Sequence, residues 1–265
     1  MKVLCLLLVP VLFTLCSCGE NPGLNDNSYI GKSSISRVND LIIYPDMVRD
    51  AALAEAERCM RLKGHTREVE YYIPQNISVR SMVIPRELSV KAARESGYDR
   101  NYHSSIHEPV LTDSEKDDYY GTGETRKDGG CLLESLSRVF GSKELAYEYT
   151  MVVNSVLPYV NNAITSDVAI DIDNEWALCM KGKGYDYPSP SRAIVSVEGK
   201  HEAHEVAVAD ATCREQVRFE ERTEELLDAY MTTFLNDNQA LLERVAQAKK
   251  NAEANAPKLL DGSAS

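Results

Sequence analysis

Histidine, the commonest transition-metal ligand, is sparse, with five in 265 residues. His103 and His107 stand four apart, and His201 and His204 three apart with Glu202 and Glu205 beside them. At helical spacing such pairs can share a metal. The first pair, however, lies in a polar, loop-like stretch with no third ligand. The second lacks the His-Glu-x-x-His order of a zinc hydrolase. Both read as surface His, and no metal is expected. Asp167, Asp171, Asp173 and Glu175 could attract calcium weakly, but they lack the Gly turn and terminal Glu of an EF-hand loop. Without a pocket to shift their pKa values, paired carboxylates in so acidic a chain carry no catalytic signal. Gly121-Thr122-Gly123 is a lone Gly pair with no strand before it, a weak match to a phosphate cradle. No Ser is framed by Gly as a nucleophile elbow. No catalytic residue and no cofactor follow from these positions.

Cysteine is more informative. Of seven Cys, Cys5 and Cys16 lie in or beside an apolar leader and Cys18 just behind it, leaving Cys59, Cys131, Cys179 and Cys213 in the body. An even number of Cys outside the cytoplasm implies a disulfide framework, and four allow three connectivities. A weak internal repeat favours one of them. Cys59-Met60 followed by Lys63-Gly64 returns at an offset of 120 as Cys179-Met180 followed by Lys183-Gly184. Val48 and Val168, Ala52 and Ile172, Ala56 and Trp176 follow the same offset. Each copy is followed by one further Cys, so the parsimonious pairing is Cys59 with Cys131 and Cys179 with Cys213. Zinc is the rival use, but these Cys are spread singly instead of in close pairs. Closing the two loops would stabilise by roughly 4 kcal/mol each on a chain-entropy account.

The leader itself is Met1-Lys2 and an apolar run over 3–15. That run is shorter than the roughly 20 residues a spanning helix needs and has the layout of a secretory signal peptide. Leu15-Cys16-Ser17-Cys18-Gly19 is similar to a bacterial lipobox, with small Ser17 before the cut and Cys18 behind it as the acylated residue. Cys16 is unusual for that motif, and cleavage after Gly19 with free secretion is the alternative. Residues 1–17 therefore read as a lipoprotein signal peptide. Residues 18–40, rich in Asn, Ser and Gly, read as a flexible tether that cannot bury enough surface to offset its ordering entropy. The formal net charge of −12 argues against a nucleic-acid partner, since phosphate neutralisation needs a basic patch.

The elements that would position these residues are mostly helical. Spacings of three and four link Val48, Ala52, Ala56, Cys59 and Met60, with Asp46 as cap and Gly64 as stop. Tyr71-Tyr72-Ile73, Ile77, Val79 and Val83 hint at short extended pieces. A weak helix over 87–95 closes at Gly97, and 99–130 reads as a long irregular insertion. Helices follow over 132–140 and from Ser142 onward, where Pro158 should kink or end the element. The second copy of the repeat predicts a helix over 167–183, with an irregular exit to Pro190. From about residue 200 apolar spacing continues to about 254, a long C-terminal helix that either packs through its first half or projects as an arm. The expected organisation is a first Cys-stapled helical unit with the insertion over 41–141, a second with the long helix over 142–256, and a loose tail over 257–265. The fold class is mainly α.

Fourteen Tyr against four Phe are the other departure from ordinary composition. Tyr offers contact area and a hydroxyl, which suits recognition surfaces. Tyr71, Tyr72, Trp176, Tyr185 and Tyr187 lie near or just past the repeated motifs and form a candidate groove between the halves; the alternative is that they cap core edges.

Taken together, Cys18, the repeated Cys-Met-x-x-x-Gly motif, Gly129-Gly130-Cys131 and the stretch Val206-Ala-Val-Ala-Asp-Ala-Thr-Cys213 resemble uncharacterised lipoproteins of actinobacteria. The resemblance spans about residues 49–225 and implies a cell-envelope location with paired extracytoplasmic Cys. The expected function is a lipid-anchored extracytoplasmic protein that binds or scaffolds, with the membrane as one partner through Cys18 and an envelope protein or cell-wall component as another. The alternative is an envelope hydrolase whose site is assembled from residues distant in sequence.

Overall fold

The computed structural model describes residues 31–43, 45–67, 78–84, 87–98, 110–122 and 129–262. Cys18, Tyr71, Tyr72, His103, His107 and Gly123 lie outside them. Twelve helices and no strand occur among the described residues. The first six are α1 (Ser34–Ile42), α2 (Asp46–Leu62), α3 (Val79–Val83), α4 (Val90–Ser96), α5 (Asp113–Tyr120) and α6 (Cys131–Phe140). They are followed by α7 (Lys143–Ile164), α8 (Asp167–Gly182), α9 (Pro190–Val197), α10 (Ala203–Val217), α11 (Phe219–Asp237) and α12 (Gln239–Leu260).

Both expected disulfides are present. Cys59 of α2 joins Cys131, the first residue of α6, and Cys179 of α8 joins Cys213 of α10. The duplication is a repeat of local structure. In α2 the His65 N–H donates to the Met60 carbonyl at 3.0 Å, and in α8 the Tyr185 N–H donates to the Met180 carbonyl at 3.0 Å. Gly64 at φ 92° and Gly184 at φ 93° take the left-handed position that this exit requires. Repeated Met60 and Met180, Ala56 and Trp176, and Ala52 and Ile172 are all buried, whereas Val48 is buried and Val168 is 52% exposed. The match extends to Glu55 and Glu175, each paired with Arg from a distant helix, Arg138 and Arg222 respectively.

The largest core joins α1, α2, α6, α7, α11 and α12 through residues such as Ile42, Ala52, Phe140, Tyr149, Phe234 and Val245. A second lies among α8, α9, α10 and the start of α11 around Trp176. Smaller clusters seat α5 on α2 and α6 through Tyr119, and α4 on α10 through Ala93, Ala207 and Ala211. The packing therefore crosses the expected division at residue 141: α7, α11 and α12 pack with α2 and α6, while α4 packs on α10.

Several elements differ from expectation, each for a local reason. Residues 34–42 were expected in or just past the tether but form α1, whose N-cap Ser33 accepts from the Ser36 N–H, and which buries Val38, Leu41 and Ile42. One turn of apolar residues is enough when the rest of the core supplies the partner surface. Val79 and Val83 are helical in α3, capped by Ser78. The insertion contains α5, started by a capping box in which Thr112 and Glu115 satisfy each other's backbone N–H groups. The base of that insertion is closed by glycine: a Cβ on Gly130 would lie 2.4 Å from the Gly121 nitrogen. The cap of α2 is Pro45, with Asp46 inside the first turn. Pro158 does not interrupt α7; it and Asn154, whose carbonyl loses its helical donor, are exposed, so water can take that bond. Ser189-Pro190 opens α9, with Ser189 accepting from the Arg192 N–H and Pro at the first helical position.

The long C-terminal helix is three helices. Arg218, at φ 54°, is the one non-Gly residue with positive φ among those described, and it turns the chain between α10 and α11. The charged run over 220–225 is thus a helix start, where Glu220 and Glu221 face the positive end of the backbone dipole. Asn238 separates α11 from α12, its amide donating to the Phe234 carbonyl at 2.9 Å and to the Tyr159 hydroxyl at 3.2 Å. The final helix is no projecting arm: Leu242, Val245, Ala248, Ala252, Ala256 and Leu259 are all buried. The expected loose tail begins as helix through Leu260.

Candidate functional site

The polar centre of the second core is carried by α10. Asp210 and Arg214 stand four apart, so both occupy the face that also buries Val206, Ala207 and Cys213. Arg214 Nε donates to Asp210 Oδ1 at 2.7 Å and Arg214 Nη2 donates to Asp210 Oδ2 at 3.1 Å, with Asp210 0% and Arg214 1% exposed. Two more donors converge on the same carboxylate. The indole Nε1 of Trp176 reaches Oδ1 at 2.9 Å, and the Tyr98 hydroxyl reaches Oδ2 at 2.8 Å. Arg214 Nη1 donates in turn to Glu220 Oε1 at 3.3 Å, and the guanidinium lies 5.5 Å from the centre of the Phe219 ring.

Local geometry explains why these groups meet. The Cys179–Cys213 bridge ties α8 to α10 one turn from both Trp176 and Asp210, which holds indole and carboxylate opposite each other. Tyr98 arrives from the end of α4. There Gly97 adopts φ 63°, and a Cβ on it would approach the His204 Cα to 3.2 Å, so the close pass of α4 over α10 requires glycine. Burial, helped by the Asp210 charge, pushes the Tyr98 phenol far up, so it stays a hydrogen-bond donor. Burial works against the charged guanidinium of Arg214, yet Asp210 and Glu220 outweigh it and hold its pKa above the usual value. The cluster is a fully hydrogen-bonded buried ion pair, a device for fixing one arrangement of α4, α8, α10 and α11.

Beside it opens a cavity of about 290 Å3. Its walls come from α3, the end of α7, α8, the start of α9 and α11, with Arg214 contributed by α10. Met82, Ile164, Ile172, Phe219 and Leu227 give it an apolar part, and Ser189, Ser191 and Thr223 add hydroxyls, so the lining is of mixed polarity. The carboxylate in this lining is Asp173, which has no hydrogen-bond or ion-pair partner among the described residues and whose pKa burial raises to about 6, against the opposing pull of Arg214.

Three of the five residues expected to form a groove are described. Trp176 is fully buried and spends its N–H on Asp210, while Tyr185 and Tyr187 are half-buried and pack against the same core. Tyr71 and Tyr72 lie outside the described residues. Of the calcium candidates, Asp173 lines the cavity and Glu175 pairs with Arg222 at 2.7 Å. His201 and His204 are exposed. Among the described residues no three His, Cys, Asp or Glu side chains are grouped to hold a metal ion. Sequence reasoning passed over Asp210 and Arg214, although each directly follows a buried residue, Ala209 and Cys213. Charges four apart next to a buried stripe were the available signal.

No family model matches the chain, no curated protein matches its sequence, and no solved structure matches it.

Proposed function

We propose that this chain is a lipid-anchored extracytoplasmic protein of the bacterial cell envelope, held at the membrane through Cys18, whose helical body binds or scaffolds. One observation carries the reading: the four body Cys are consumed pairwise in Cys59–Cys131 and Cys179–Cys213. Disulfides of this kind persist in oxidising compartments, and neither of them uses Cys18, which stands behind the apolar run over 3–15 where a lipobox places the acylated residue. The resemblance to actinobacterial lipoproteins points the same way. For the body, binding is favoured over hydrolysis because the cavity lining offers a lone carboxylate and no His among the described residues.

The test is palmitate labelling of the full chain in a bacterial host beside Cys18→Ala. Label on the wild type alone, with membrane-fraction recovery lost in the variant, is the expected result. Equal absence of label from both would remove the anchor.

A further inference from the structure

We infer that the cavity between α3, α7, α8, α9 and α11 binds a small organic cation, an ammonium group on an apolar body, with Asp173 as its counter-ion. The inference rests on the cavity and not on the anchor, so an unlabelled Cys18 would leave it standing.

Size comes first. About 290 Å3 falls at the small end of ligand pockets, which run from about 300 to 1,000 Å3, so the occupant is a small molecule and not a peptide. Chemistry comes next. Apolar side chains such as Ile172, Phe219 and Leu227 share the walls with Asp173, Arg214 and the hydroxyls of Ser189, Ser191 and Thr223. A partly buried carboxylate without a partner is held there at a cost in solvation. An ammonium would supply the missing ion pair, and the hydroxyl oxygens can accept its further hydrogens.

The sign of the ligand charge follows from what faces the cavity. Arg214 is engaged by both Asp210 and Glu220. With that guanidinium already neutralised, the unmatched charge in the lining is the Asp173 carboxylate, which repels an anion and favours a cation. Of the other charges on the walling helices, Arg80 of α3 pairs with Glu224, and Arg222 of α11 with Glu175. Asp167 and Asp171 of α8 and Arg192 of α9 are exposed to water. Burial has raised the Asp173 pKa to about 6, so the carboxylate is charged and receptive at neutral pH and is neutralised just below it.

The experiment titrates the full chain, both disulfides formed, with 2-phenylethylammonium, 2-phenylethanol and phenylacetate by calorimetry. Saturable one-site binding of the ammonium, at least tenfold tighter than either of the other two, is expected. Asp173→Asn should weaken the ammonium at least tenfold, and lowering the pH of the wild type from 7.5 to 5 should weaken it about tenfold, as expected one pH unit below the carboxyl pKa. Because Asp173 makes no hydrogen bond, the variant should keep its helical circular dichroism and its melting temperature. Equal affinity for ammonium and alcohol, an Asp173→Asn variant that binds like the wild type, or no binding of the ammonium would each overturn the assignment.

Discussion

Replacing Asp210 by Asn tests the buried centre of the second core most directly. The substitution keeps the side-chain shape and removes one charge. It takes away the bidentate acceptor of Arg214, at 2.7 and 3.1 Å, and exchanges an oxygen that accepts from Tyr98 or Trp176 for a donor. The guanidinium, 1% exposed, then keeps Glu220 at 3.3 Å as its charged partner. Breaking a buried pair from one side costs about 3–5 kcal/mol, because the remaining charge stays desolvated. For a body of this size each kcal/mol corresponds to about 2–4 °C, so melting should fall by about 6–20 °C. That is a large part of a domain's margin of about 5–15 kcal/mol. Circular dichroism would follow the transition. Trp176 is the chain's single Trp, so its emission reports on this site without labelling. Adding Arg214→Met should recover most of the loss, since removing both charges of a buried pair is often near neutral. The double-mutant cycle should therefore show strong coupling. A loss under about 1 kcal/mol for Asp210→Asn, or additive losses in the cycle, would refute the reasoning.

Two further outcomes follow from the same structure. Cys179→Ala with Cys213→Ala opens a bridge between residues 34 apart, and Cys59→Ala with Cys131→Ala one between residues 72 apart. Each should cost about 4 kcal/mol, the longer loop slightly more, read from urea unfolding under oxidising conditions; a pair of variants as stable as the wild type would show that the bridges do not constrain the unfolded chain. Glu115 accepts from Arg67 Nη2 at 2.6 Å and from the Thr112 backbone, which together lower its pKa to about 2. A lowered carboxyl pKa gives stability that is present above the unfolded value of about 4.3. That stability is lost as the pH falls through the folded value. The melting advantage of wild type over Glu115→Gln should thus be full at pH 7, shrink below pH 4 and vanish near pH 2. A gap independent of pH would mean that the Arg67 contact is not electrostatic.

Legibility varied with how local the determining physics was. The exits of α2 and α8 were readable because a Schellman turn needs its Gly one residue past the cap, whatever surrounds it. The Cys pairing was readable because duplication supplied the missing constraint. The capping box of α5 and the Ser-Pro start of α9 were equally local and were in plain view at Thr112-x-x-Glu115 and Ser189-Pro190. Both were hidden by the polar composition around them. That Pro158 does not end α7 was hidden for the opposite reason, since its penalty depends on whether the orphaned carbonyl reaches water, and exposure is a tertiary property. The break at Arg218 was unreadable in kind: arginine carries no left-handed signal, and the turn is imposed by α10 and α11 having to pack on different cores.

From the sequence alone came the helical class, the two Cys-closed pairs and the acidic net charge. All of these depend on residue types and short spacings. Only the tertiary structure decided which helices share a core, why Trp176 is a buried donor instead of a groove wall, and that Asp173 faces a cavity. Those outcomes depend on solvent exclusion by residues far apart in the chain, and exclusion from water is what turns an ordinary Asp into a counter-ion or an ion-pair partner.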